Sequence, residues 1–381
     1  MSTAKSIWKA SWRIVVGMVL LLWIVHSIFV HEARQRAGSG LLYDQGVQVK
    51  WTKTEMPPRR EQWRLGWTYG PPALWQTVRS IHPGALALSF LIMGATLIIG
   101  IARWRMVLNV HGLRLPFART TEISLVAHFF NSFLLGTAGG DVMKAYYVAR
   151  ETHHKKTEAV VTVFVDRVIG LWAMLLFASL MIAPSIHLFA RPGLRRAAAL
   201  VVLMTAAASV FAFLAFRGGV SRQWTGARLW LRKLPKGEWI ERSLENCREF
   251  GKQRGFVSRA LSLSMILNFA CALQFWVLAR GLGMDVSLLS LCFVVPTVIC
   301  IAALPIVPGG LGLRENAFVE LLANSPIGAD ATDALSLSLL AFAGSLFWSL
   351  IGGVVYMMFK HKHHLAEEEL IERDEDPGTQ S

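Results

Sequence analysis

The chain has 381 residues, 54% of them hydrophobic and only 17% charged, with a formal net charge of +14 and a mean hydropathy of +0.44. A soluble domain carries about 25% charged residues, so this chain has too little charge to cover a surface in water. The composition describes an integral membrane protein. It excludes a secreted disulfide scaffold, a cytosolic dinucleotide-binding enzyme and a nucleic-acid-binding domain, and it assigns the positive charge to cytoplasmic loops facing anionic headgroups.

The first apolar run is Ile14 to Val30, preceded by Lys5, Lys9 and Arg13. No small-residue cleavage pattern follows it, so it reads as an uncleaved anchor helix over residues 1–30. Residues 31–83 form an extracytoplasmic segment with Trp51, Trp63, Trp67 and Trp75 and two proline pairs, Pro57-Pro58 and Pro71-Pro72. That pattern predicts a proline-stiffened loop with tryptophan anchors at the interface; a sugar- or headgroup-stacking platform is the alternative. Spanning runs follow at Gly84 to Ala102, Ala159 to Ala183, Ala197 to Phe216, Leu261 to Ala279 and Leu335 to Phe359. Each approaches the about 20 residues that a bilayer requires.

Two runs differ. Ile123 to Ala138 is short, contains His128 and Asn131, and ends in Gly139-Gly140-Asp141. Polar backbone at membrane depth is tolerated only inside protein or along a cavity. This run therefore predicts one limb of a re-entrant hairpin, with Asp141 to Arg150 as its return. Val286 to Leu304 is interrupted by Pro296 and ends near Gly309-Gly310, with Leu313 to Ala323 as a second return limb. With the N-terminus inside, this arrangement places most basic residues on the cytoplasmic side. An eight-span chain with the N-terminus outside does nearly as well, but exports Lys5, Lys9 and Arg13. The fold class predicted is an all-α polytopic membrane protein of about six spanning helices plus two re-entrant helical hairpins, an inverted-repeat layout found in transporters. Within the transmembrane domain 84–360, residues 217–260 read as a basic amphipathic cytoplasmic loop. Residues 361–381 read as an unstructured acidic cytoplasmic tail.

Ionisable residues inside spans are costly and are functional candidates. Asp166 and Arg167 are adjacent in a span, point about 100° apart, and need partners elsewhere: Lys144 or Arg314 for Asp166, and Asp141, Glu315 or a lipid phosphate for Arg167. A buried charge network that only fixes packing is the plain alternative. Each Gly-Gly precedes a helix start, with Lys144 and Arg314 in the first turns, which could form an anion site. Equally, the glycines could merely permit the reversal. Neither run fits G-x-x-x-x-G-K-S/T, and no catalytic constellation, metal-ligand spacing or cofactor motif is present. Cys247, Cys271, Cys292 and Cys300 form no C-x-x-C pair and read as reduced, mostly buried thiols.

Three stretches carry a family resemblance. Arg103-Trp104-Arg105-Met106-Val107-Leu108 looks like an R-W-R-x-L-L segment. Asn131 to Ala145, with Asp166-Arg167 after it, is similar to N-x-F-L-P-G-x-x-G-G-D-x-x-R-A followed by a D-R pair. Leu304 to Glu315 looks like L-P-x-x-P-G-G-L-G-x-R-E. The chain resembles the flippase-like membrane proteins, the transmembrane region of lysylphosphatidylglycerol synthase, over roughly residues 84–360. Leu135 replaces the usual proline, and Lys144 stands where arginine is common. No aminoacyl-transferase domain is expected to follow. The resemblance implies a multi-pass protein of the cytoplasmic membrane that handles polar lipids or lipid-linked sugars.

The expected function is binding or translocation of a phosphate-bearing lipid, without catalysis or cofactor. The expected substrate-binding set is Asn131, Gly139, Gly140, Asp141, Lys144, Asp166, Arg167, Gly309, Gly310, Arg314 and Glu315, with Arg167 and Arg314 as the phosphate clamp. The expected partners are membrane lipids and anionic headgroups, not nucleic acid, with envelope-biosynthesis enzymes as further candidates. A lipid-linked transferase and a non-transporting partner of envelope-lipid synthesis are the competing readings.

Overall fold

The computed structural model describes residues 57–133, 139–151, 156–186, 192–217, 249–253, 255–302, 313–323 and 329–375, with scattered positions between 26 and 51. Among these residues ten helices are taken in chain order. They are α1 (Arg59–Arg79), α2 (Pro83–Val110), α3 (Phe117–Phe133), α4 (Gly139–Glu151), α5 (Lys156–Leu180), α6 (Pro192–Arg217), α7 (Phe256–Gly281), α8 (Leu288–Ala302), α9 (Leu313–Ala323) and α10 (Ala331–Glu375). A two-residue antiparallel pair, β1 (Tyr43–Asp44) with β2 (Val47–Gln48), is the exception to an all-α protein.

Five helices are long and apolar enough to span: Pro83–Val110, Glu158–Leu180, Leu194–Phe213, Phe256–Gly281 and Ala331–Met358. They coincide with five of the runs read from hydropathy. The anchor Ile14 to Val30 lies almost wholly outside the described residues, as do Gly309, Gly310 and nearly all of the basic loop. The ends of α2 follow from local chemistry. His82 caps its start, its ring accepting the Gly84 N–H at 3.2 Å, with Pro83 at the first helical position. Gly112, at φ +68°, stops it in a left-handed conformation that favours glycine.

Two differences from the sequence reading have physical causes. The stretch 59–79 is a helix rather than a loop, although Pro71 and Pro72 remove two backbone donors inside it. Packing on both sides of the prolines holds it. Leu65 sits in a cluster with Ala33 and Trp51, and Leu74 packs on Ala331 and Leu335 of α10. The tail read as unstructured continues α10 to Glu375, where its run of Ala, Glu and Leu has high helix propensity.

The short helices build the interior. α3 and α4 form an antiparallel hairpin, with 17 and 13 residues. These limbs are about 25 and 20 Å long, less than the about 30 Å of hydrocarbon. At its tip the Gly140 N–H donates to Asn131 Oδ1 at 2.8 Å. At its open end Arg119 Nε reaches Glu151 Oε1 at 2.8 Å and Arg119 Nη1 reaches Glu122 Oε2 at 2.8 Å. Glycines bring backbones together on both sides of α3. A Cβ at Gly140 would lie 2.1 Å from the Ala127 carbonyl oxygen, and one at Gly352 of α10 would lie 2.1 Å from that of Leu125. α8, with 15 residues, is buried from Ser290 through Val298. It shares one apolar cluster with Phe275 and Leu278 of α7, Phe318 of α9 and Leu337 of α10.

The Arg119 fork is half-buried, so water screens it. Arg119→Gln should reduce stability by no more than about 1 kcal/mol, measured by thermal unfolding of the purified protein. A loss several times larger would mean that the open end of the hairpin is shielded from solvent.

Candidate functional site

The RWR segment, the hairpin tip and the Asp166-Arg167 pair converge although they are far apart in sequence. Two ion pairs form there. Arg103 Nε meets Asp166 Oδ1 at 2.8 Å, with the two side chains only 11% and 12% exposed. Its other nitrogens donate to Ser264 Oγ of α7 at 3.0 Å and to the Asp166 carbonyl at 3.4 Å. Gly170, one turn along α5, leaves room for this guanidinium: a Cβ there would stand 3.1 Å from Arg103 Nη2. Arg167 Nε and Nη2 meet Asp141 Oδ2 at 2.8 and 2.7 Å, in a half-buried position. Asp166 and Arg167 thus turn to different partners, as their 100° offset requires.

Lys144 is left over. It lies within electrostatic reach of Asp166, Asp141, Arg103 and Arg167. Among the described residues, however, it has no carboxylate within ion-pair distance. Its Nζ sits 4.6 Å from the ring centroid of the fully buried Trp104, a contact that offsets part of a cation's desolvation. Among the described residues, three cations against two carboxylates leave the cluster one positive charge in excess.

Arg103, Asp166 and Lys144 border a cavity of about 240 Å³, whose lining does not include Arg167 or Asp141. α2 contributes Thr96, Gly100 and Arg103; α3 contributes Ser124, His128 and Asn131; Lys144, Asp166 and Leu267 complete the wall from α4, α5 and α7. The Ser124 hydroxyl is buried with no hydrogen-bond partner among the described residues. One His128 ring nitrogen faces the Ser345 carbonyl of α10 at 3.2 Å. Among the described residues the cavity therefore offers a cation without an ion-pair partner, a hydroxyl without a hydrogen-bond partner and an amide, beside an Asp166 carboxylate held by Arg103, a set suited to an anion.

The remaining expected residues sit elsewhere or serve otherwise. Gly139 and Gly140 are buried at the start of α4. Asn131 already caps the Gly140 N–H, and Gly140 sits where a Cβ would meet the Ala127 carbonyl of α3. Arg314 donates to its neighbour Glu315, which is fully buried, and its guanidinium lies 4.8 Å from the Phe342 ring. Neither Arg314 nor Glu315 lines the cavity. Arg103, Ser124 and His128 were not among the expected site residues. Arg103 ends an apolar run and reads as a flanking cation. The signal that could have found it is the need of Asp166 for a partner. Among the described residues no cluster of three His, Cys, Asp or Glu side chains could hold a metal.

The model of the lysylphosphatidylglycerol synthase TM region matches residues 63–353. The chain belongs to that family. The match takes in every residue of the cavity. Within the lysylphosphatidylglycerol synthase TM region family the chain is similar to a UPF0104 membrane protein of Methanothermobacter thermautotrophicus, 26% identical over 297 residues, which is 71% of this chain and 83% of the relative. UPF0104 membrane proteins of Pyrococcus horikoshii and Methanocaldococcus jannaschii are 23% and 24% identical. They cover 71% and 73% of this chain, and 86% and 85% of their own lengths.

Proposed function

We propose that this multi-pass membrane protein binds the phosphate-bearing headgroup of a membrane lipid in the cavity beside α3 and α4. We propose further that it carries the headgroup across the cytoplasmic membrane without covalent chemistry. The observation that supports this reading is the unmatched charge of Lys144. An unpaired cation away from water is expensive, and a phosphate oxygen would supply the ion-pair partner that Lys144 lacks among the described residues. The Arg103–Asp166 pair joins two of the surrounding walls. The short α3–α4 and α8–α9 units, read as re-entrant hairpins, keep polar groups at depth while lipid tails remain in hydrocarbon. Membrane lipids are the partners in this reading.

The test is lipid retention. Gently purified protein should carry a phosphate-bearing lipid identifiable by mass spectrometry. Lys144→Gln should lose it while eluting as the same single species. A hydrogen bond to a charged group contributes about 1.5–3 kcal/mol, so binding should fall about tenfold to a hundredfold, and Lys144→Arg should restore most of it. Retention unchanged in Lys144→Gln would remove the basis for this site.

A further inference from the structure

We infer that α1 is an interfacial helix whose outer face lies among the anionic phospholipid headgroups of the leaflet at which α2 enters the membrane. Its level is fixed by three spanning helices. α1 leads through Ser80 and Ile81 into the start of α2, and the His82 N–H bonds the Gly281 carbonyl at the end of α7 at 3.0 Å. Leu74 packs on Ala331 and Leu335 at the start of α10. The ends of three apolar spans meet at this height, so α1 lies where hydrocarbon gives way to water.

Its two sides differ in exposure, although Leu74 shares the arc of the tryptophans where it meets α10, and Trp63 lies against the His26 ring at 3.9 Å. Leu65 and Ala73 are buried, and Gly66 and Gly70 press against Val30 and Phe29. The outer face carries Trp63, Trp67 and Trp75, exposed by 54%, 43% and 58%. Trp67 also donates to His26 Nδ1 at 3.1 Å. At 100° per residue these indoles and Arg60 and Arg64 fall within about a third of the helix circumference. Three exposed indoles on one face are unfavourable in water, and headgroup level is where an amphipathic ring is most stable. The charge selects the partner: Arg59, Arg60, Arg64 and Arg79 face a single acid, Glu61, on this helix. Arg79 lies 5.2 Å from the Trp75 ring, the arrangement of a side chain that reaches past an aromatic toward phosphate. A basic, tryptophan-bearing face at a span boundary fits an anionic lipid surface.

The test uses the full chain with its four cysteines replaced by alanine and a fluorophore on Thr68→Cys, at an exposed position of that face. The protein is placed in phosphatidylcholine vesicles with or without phosphatidylglycerol. Lipids spin-labelled at the headgroup should quench the probe, more strongly with phosphatidylglycerol, and aqueous iodide should quench it weakly. Replacing Arg60, Arg64 and Arg79 by glutamine should abolish the phosphatidylglycerol dependence. Replacing the three tryptophans by serine should exchange lipid quenching for iodide quenching. If the tryptophan variant fails to purify, the arginine variant carries the test. Iodide quenching without lipid quenching overturns the inference. So does shielding from both quenchers, which would indicate a covering protein copy, and so does protection by soluble saccharide. Lipid quenching indifferent to phosphatidylglycerol refutes the anionic partner.

Discussion

Asp166→Asn should destabilise the protein more than Arg103→Gln does, although both changes break the same ion pair. Removing one member of a buried pair costs about 3–5 kcal/mol, and both side chains here are nearly enclosed. Their surroundings are unequal. Without Arg103, the Asp166 carboxylate still has Lys144 in electrostatic reach, and the cluster becomes neutral. Without the Asp166 charge, Arg103 and Lys144 repel each other, and Lys144 keeps only Asp141 of the two acids within reach. Thermal unfolding of both variants in one detergent–lipid mixture gives the ranking. Arg103→Gln should also reduce headgroup binding, because Lys144 is then drawn to Asp166. Equal losses, or a greater loss in Arg103→Gln, would show that Lys144 does not sense this carboxylate.

The second large effect is steric. Gly140→Ala and Gly352→Ala should each prevent normal packing of α3, because the added methyl meets backbone carbonyl oxygens at 2.1 Å rather than a side chain that can turn away. Overpacking usually costs about 1–3 kcal/mol. Contact with main chain on a helix that is held on both sides belongs at the top of that range or beyond. Gly100→Ala is the control, its nearest neighbour being a Leu267 methyl at 3.7 Å. The measurements are yield of the monodisperse species and unfolding temperature. Unchanged stability in Gly352→Ala would mean that α3 and α10 separate readily.

The spans were legible because a bilayer demands long apolar runs, and α2, α5, α6, α7 and α10 supply them. The first hairpin was legible for the opposite reason: a run too short to cross, ending in Gly-Gly and a charge. Asp141 with Arg167 was among the pairings that adjacency and depth allowed. Arg103 with Asp166 was not foreseen, since the partners stand 63 positions apart and Arg103 resembles any cation at a span end. The helix at 59–79 was hidden by its prolines, because local propensity there opposes what Leu65 and Leu74 achieve by packing. The packing of Gly140 was equally hidden. A glycine that admits a neighbouring carbonyl and one that admits a phosphate read the same until the neighbour is placed.

The contacts of α10 also impose an order on biosynthesis. Trp348 donates to the Phe90 carbonyl of α2 at 2.9 Å. The Ser345 carbonyl takes one ring nitrogen of His128, and Gly352 and Gly353 receive Leu125 and Phe129 of α3. Each completes a surface belonging to α2 or α3, and each waits for α10. A nascent chain that has released α2 through α5 from the ribosome can close its Arg103–Asp166 pair, but the outer side of α3 stays open until α10 has been made. The amino-terminal portion is therefore not a self-sufficient folding unit. A stop codon anywhere before α10 removes the partner of the helix that walls the cavity.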